Sequence, residues 1–92
     1  MTDEIEKIKD MMTAGHLDDA LAAANSALLN GCQPAWEAYY LRGRIHWRMG
    51  DRRQAINDYH ASVALNPHGP AKLALAQANE ILSFFNPDIF NP

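Results

Sequence analysis

WEAYYLRGRIHWRMGDRRQAINDYHASVALNP, residues 36–67, is the stretch that decides the fold. It reads as two helical segments parted by Gly50-Asp51 and closed by Pro67. In the second segment Ala55, Ile56, Tyr59, Val63 and Ala64 recur at steps of three and four, the period of one helix face. Asp51 and Gln54 have the spacing at which two side chains satisfy free backbone N–H groups reciprocally at a helix start.

The same punctuation extends in both directions. Gly15, Gly31 with Pro34, Gly50, Pro67 with Gly69 and Pro70, and Asn86-Pro87 divide the chain, predicting helices over 3–14, 17–30, 34–49, 52–65 and 70–84 and no strand. Asp3 and Glu6 repeat the capping spacing, and Pro34 and Pro70 suit first-turn positions. Leu17, Leu21, Ala24 and Leu28 give the earlier helix an apolar face. Sliding the chain by 35 residues pairs Gly15 with Gly50, Ala20 with Ala55, Leu21 with Ile56, Ala27 with Ser62 and Leu28 with Val63. The helix pair is therefore repeated.

The bulk numbers bound what such a repeat can be. The 92 residues suffice for one domain with a modest core, and 48% apolar against 21% charged residues is the balance of a folded chain. The single cysteine, Cys32, has no internal partner for a disulfide, and Met1 to Met12 mixes acids with lysines instead of offering an apolar signal core. With no apolar run approaching the ~20 residues of a membrane span, a cytoplasmic location is expected. The net charge of −3 gives no general attraction to nucleic acid or anionic lipid. It is unevenly placed: residues 1–30 carry six acids against two lysines, while residues 31–60 carry five arginines against three acids.

Residues 36–67 resemble the tetratricopeptide repeat, a helix-turn-helix unit with small and aromatic residues at fixed positions. Tyr39 stands where that family has its first large aromatic, Gly43 where two helices approach closely, and Gly50-Asp51 at the turn. Ala55 matches the small residue at the helix crossing, Tyr59 the large one beside it, Ser62 a further small contact, and Pro67 the break before the next unit. In the earlier copy Gly15, Ala20 and Ala27 match, but Ile8 replaces the close-packing glycine and Ala24 the large aromatic, and the connection is two residues longer. Residues 70–84 resemble a first helix alone, which in this family commonly covers the last repeat. The resemblance thus implies an all-α single domain in a right-handed superhelical stack: repeat 1 at about 1–33, repeat 2 at about 34–67, a capping helix at about 70–84 and an apolar tail at 85–92.

It also implies a role in holding another protein, without catalysis, since in this family the first helix of each pair lines a concave groove. Carried onto residues 34–49, that face selects Glu37, Tyr40, Leu41, Arg44, Trp47 and Arg48. The outer helices add Ile5, Lys9, Met12 and Thr13 on one side, and Ala74, Ala78 and Ile81 on the other. Tyrosine and tryptophan offer large contact area and arginine a two-bond grip on carboxylates, so a peptide or helix with acidic and apolar residues would suit this face. The competing reading makes Trp47 a packing residue and the arginines solvated. Relatives that grip acidic chaperone tails need polar groups where this chain has Ile5, Leu41 and Ala71, so that partner is not expected.

Other functions find less support. No two of His16, His46, His60 and His68 have the helical spacing that converges on a metal, Cys32 has no neighbour in sequence to activate it, and no cofactor motif is present. His46 reads as a packing residue. Arg42, Arg44, Arg48, Arg52 and Arg53 cannot all share one helix face, which argues against nucleic acid. The segment Phe84-Phe85-Asn86-Pro87-Asp88-Ile89-Phe90-Asn91-Pro92 is apolar and broken by two Asn-Pro pairs, so it either covers its own closing helix or docks on a neighbouring molecule. The second arrangement, with a stack of only two and a half units, gives the alternative of a structural homodimer.

Overall fold

The computed structural model describes residues 3–85, and side chains as far as Glu80. It contains five helices: α1 (Glu4–Thr13), α2 (Leu17–Leu29), α3 (Ala35–Arg48), α4 (Arg52–Leu65) and α5 (Pro70–Phe85). Each lies within a residue of the span predicted from the breakers. Among the described residues there is no strand, and no helix is long and apolar enough to cross a membrane. The closing helix runs one residue past the expected 84, taking in Phe85, while the side chain of Ile81 and residues 86–92 lie outside what is described, so the two tail arrangements stay at the level of sequence.

One local device closes the first three helices. Gly50 takes φ +89°, a conformation a side chain resists, which lets its N–H reach the Trp47 carbonyl at 3.1 Å while Asp51 N–H reaches the His46 carbonyl at 2.8 Å. The same pair of bonds recurs after α1 (Gly15 to Met12, His16 to Met11) and after α2 (Gly31 to Leu28, Cys32 to Ala27). Starts are less uniform. Asp3 accepts from Ile5 N–H and Asp51 from Gln54 N–H, each at 3.2 Å, while the Asp51 N–H donates to the His46 carbonyl and not to the Gln54 side chain. Pro34 is the N-cap of α3, one residue short of the first turn, whereas Pro70 opens α5 as its first residue. His16 caps α2 without a side-chain bond.

The helices are all-α repeat architecture: α1 packs on α2, α2 on α3, α3 on α4 and α4 on α5, with α1 also meeting α3. Two apolar clusters result. Ile5, Ile8, Met12, Ala20, Ala24, Ala27, Ala38, Leu41 and Ile45 form the larger, and Ala55, Tyr59 and Ala71 the smaller, with Tyr40 packed against both. The crossing of α3 and α4 explains the glycine: a Cβ on Gly43 would stand 2.6 Å from Tyr59 Cε1 and 3.2 Å from the Ala55 carbonyl oxygen. In α1 and α2 the sizes are exchanged. Ile8 takes the glycine's place and Ala24 the tyrosine's, and both are fully buried in the larger cluster.

Candidate functional site

Helix α3 carries Trp36, Tyr40, Arg44 and Trp47 at helical spacing along one side, and two open hollows flank that side. The first, about 360 Å³, is lined by Tyr40, Arg44, Trp47, Tyr59, Ala74, Gln77 and Ala78, bringing α3, α4 and α5 together. The second, about 370 Å³, is bounded by Lys9, Met12 and Thr13 of α1, by Trp36, Glu37, Tyr40, Leu41, Arg44 and Arg48 of α3, and by Pro70. Tyr40 and Arg44 belong to both, so they form the ridge between them.

The six α3 residues selected by the resemblance, with Lys9, Met12, Thr13, Ala74 and Ala78, line one hollow or the other, whereas Ile5 is buried in the core; the residues are not equivalent. Met12 and Leu41 are buried core residues, at 5% and 3% exposure, and give the second hollow its apolar floor. Lys9 and Glu37 pair across the gap between α1 and α3 at 3.0 Å; the hydrogen bond and charge of Glu37 raise the Lys9 ammonium above its usual range. Arg48 donates Nη1 to the Met12 carbonyl at 3.3 Å, a second bond beside the one that carbonyl accepts from Gly15 N–H at the end of α1. Trp47 is half-buried against the smaller cluster, with the Arg52 guanidinium over its ring at 4.2 Å, so it serves packing and the hollow together. Arg44 is exposed, its guanidinium 5.9 Å from the Tyr40 ring centre, and has no acidic partner among the described residues.

Residues not singled out from sequence complete the surface. Trp36 stands four before Tyr40 and Gln77 three after Ala74, so helical spacing alone could have added them. Tyr59 reaches the first hollow from α4, its ring centre 6.2 Å from that of Tyr40, and burial raises its phenol above the usual range. Ile5 and Ala71, like Leu41, are buried in the core.

A separate polar cluster lies away from the hollows. Asp58, only 4% exposed, accepts from Arg42 Nε at 2.9 Å and from Arg42 Nη2 at 2.7 Å, while Arg42 Nη1 donates to Asn25 at 3.1 Å. His46 Nε2 lies 3.7 Å from the same carboxylate. The two-bond contact with Asp58 raises the Arg42 guanidinium further above its usual range, and Arg42 joins α2, α3 and α4. Cys32 is half-buried against the larger cluster, and burial, followed by the charges of Glu4 and Asp3, pushes its thiol up, away from reactivity.

Two models of the tetratricopeptide repeat match the chain, one over residues 36–68 and one over residues 6–51. None of the curated proteins compared matches it. Among solved structures, the solution NMR structure of Bacteroides fragilis protein BF1650 is similar, with a TM-score of 0.85 and 34% identity, covering 98% of this chain and 91% of that one.

Proposed function

Because the chain belongs to the tetratricopeptide repeat family, whose repeats generally mediate protein–protein interaction, we propose that the side formed by α1, α3 and α5 is a groove that receives a peptide or helix of another protein. In this reading α1–α2 and α3–α4 are the two repeats, α5 covers the second, and the molecule binds without catalysing a reaction. One observation carries it: two hollows of side-chain size meet at a ridge of Tyr40 and Arg44, with the half-buried Trp47 in the wall of one of them. Aromatic and arginine residues in a concave setting are the types that concentrate binding energy at protein interfaces. A cytoplasmic setting is proposed with it, on the composition and the unpaired Cys32.

The test compares capture of soluble proteins by the wild-type chain, by Arg44→Glu and Trp47→Ala, and by Asn57→Glu on the exposed side of α4. A partner lost with the first two changes and kept with the third, at unchanged helicity, supports the groove. A partner lost only with Asn57→Glu contradicts it. Severe unfolding of Trp47→Ala would assign that side chain to packing and leave Arg44→Glu to decide.

A further inference from the structure

The first turns of the helices differ in charge in a way that helix stability does not explain. Helices α1, α2 and α3 open with acids, Asp18 and Asp19 in α2, which suit the positive end of a helix dipole. Helix α4 opens instead with Arg52-Arg53 and has no acid in its first turn. Two cations there oppose the dipole and weaken the start of the helix that carries them. Both are exposed, and neither has an ion-pair partner among the described residues, since the Asp51 carboxylate accepts from Gln54 N–H. Arg52 is nonetheless held in place, its guanidinium 4.2 Å from the Trp47 ring centre. Charges that break a local rule and stay open to solvent point to a role outside the fold.

Their location supplies the occupant. Short connections make consecutive helices antiparallel, so the turns Ala14–His16 and Met49–Asp51 lie at the same end of the molecule, one helix pair apart. Just past the first turn stand Asp18 and Asp19, exposed and also without an ion-pair partner among the described residues. Just past the second stand Arg52 and Arg53. This end is therefore acidic on one side and basic on the other. Beside the charges, Ala14 and Met49, the C-caps of α1 and α3, offer exposed apolar surface, small in one turn and large in the other. A second copy, turned by a half-rotation about an axis between the two turns, sets its arginines against Asp18 and Asp19 of the first and repeats that contact across the axis. A foreign acidic surface would satisfy the arginines but repel the aspartates, whereas a second copy satisfies both.

We propose that this end of the molecule is a self-association surface, whose occupant is a second copy of the chain held by Asp18 and Asp19 against Arg52 and Arg53 in both directions. The dimer is weak and salt-sensitive, because its ion pairs are exposed and its apolar share is small. None of its six residues lines a hollow, so the groove reading stands or falls separately.

The test is sedimentation equilibrium of the full chain at about 0.1 M and about 1 M salt, between which the screening length falls from about 10 to about 3 Å. The wild type is expected to dimerise reversibly at the lower salt and to lose most of the dimer at the higher. Arg52→Glu with Arg53→Glu, and separately Asp18→Arg with Asp19→Arg, should each weaken the dimer about tenfold or more. The first pair should also raise the melting temperature, because acids suit the start of α4, and this separates loss of contact from loss of fold. The chain carrying all four changes should dimerise like the wild type. A wild type that stays monomeric at both salts would overturn the proposal, as would a four-change chain that stays monomeric. A dimer that persists at the higher salt and ignores the charge reversals would overturn it in favour of the apolar tail.

Discussion

Two arginines two positions apart on α3 show how far a residue's role depends on which way it points. Arg42 is tied to the buried Asp58 by two hydrogen bonds, whereas Arg44 is exposed over Tyr40. Asp58→Ala should cost about 1.5–3 kcal/mol, the range for hydrogen bonds to charged groups, while Arg44→Ala should change stability by less than about 0.5 kcal/mol. Urea denaturation of the two variants measures both. Gly43→Ala should cost about 1–3 kcal/mol, because its methyl would meet the Tyr59 ring at 2.6 Å inside a packed crossing. The glycine was legible from the sequence because close approach leaves few alternatives to it. Asp58 was not: an acid on an amphipathic helix reads as solvated, and the arginine that makes its burial tolerable lies sixteen residues away on another helix.

At the scale of elements, helix limits were the most legible feature, since they are set by backbone chemistry within a few residues of each end. Gly50, with its φ of +89° and paired bonds to α3, stops that helix whatever packs around it. The large residue at Ile8 and the small one at Ala24, the reverse of Gly43 and Tyr59, were harder to interpret, because in sequence they look like two failed matches, yet both are fully buried. The groove positions were reachable through the period of α3, but their division of labour was not. Met12 and Leu41 became floor, Glu37 and Lys9 a closed pair, and Arg48 a tie to α1. The α3–α4 contact also predicts an alkaline limit. Burial raises the Tyr59 phenol above its ordinary value of about 10, so its contribution is fully present below that pH and is lost as pH rises through the folded value. The raised Lys9 has the same sign but is exposed and contributes little. Tyr59→Phe should therefore flatten the fall in melting temperature that the wild type is expected to show above pH ~10; an unchanged slope would place the alkaline sensitivity elsewhere.

Taken as a whole, the molecule spends its small core on holding one surface open. The larger cluster fixes α1, α2 and α3, the smaller one fixes α4 and α5 to Tyr40, and the two hollows lie where the first meets the second. The Arg42–Asp58 cluster steadies α2, α3 and α4 without using any residue that lines the groove. Such a division allows Arg44 to be changed for binding without cost to the fold, which is the property the account depends on. The measurement that tests this most directly is amide and indole chemical-shift mapping of the isotope-labelled chain, titrated with a partner captured by the wild-type protein. The account predicts shifts concentrated at Met12, Tyr40, Arg44, Trp47, Gln77 and Ala78, with α2 and the outer side of α4 unmoved. Shifts confined to α2 and the exposed positions of α4, with the Trp47 indole unmoved, would contradict it.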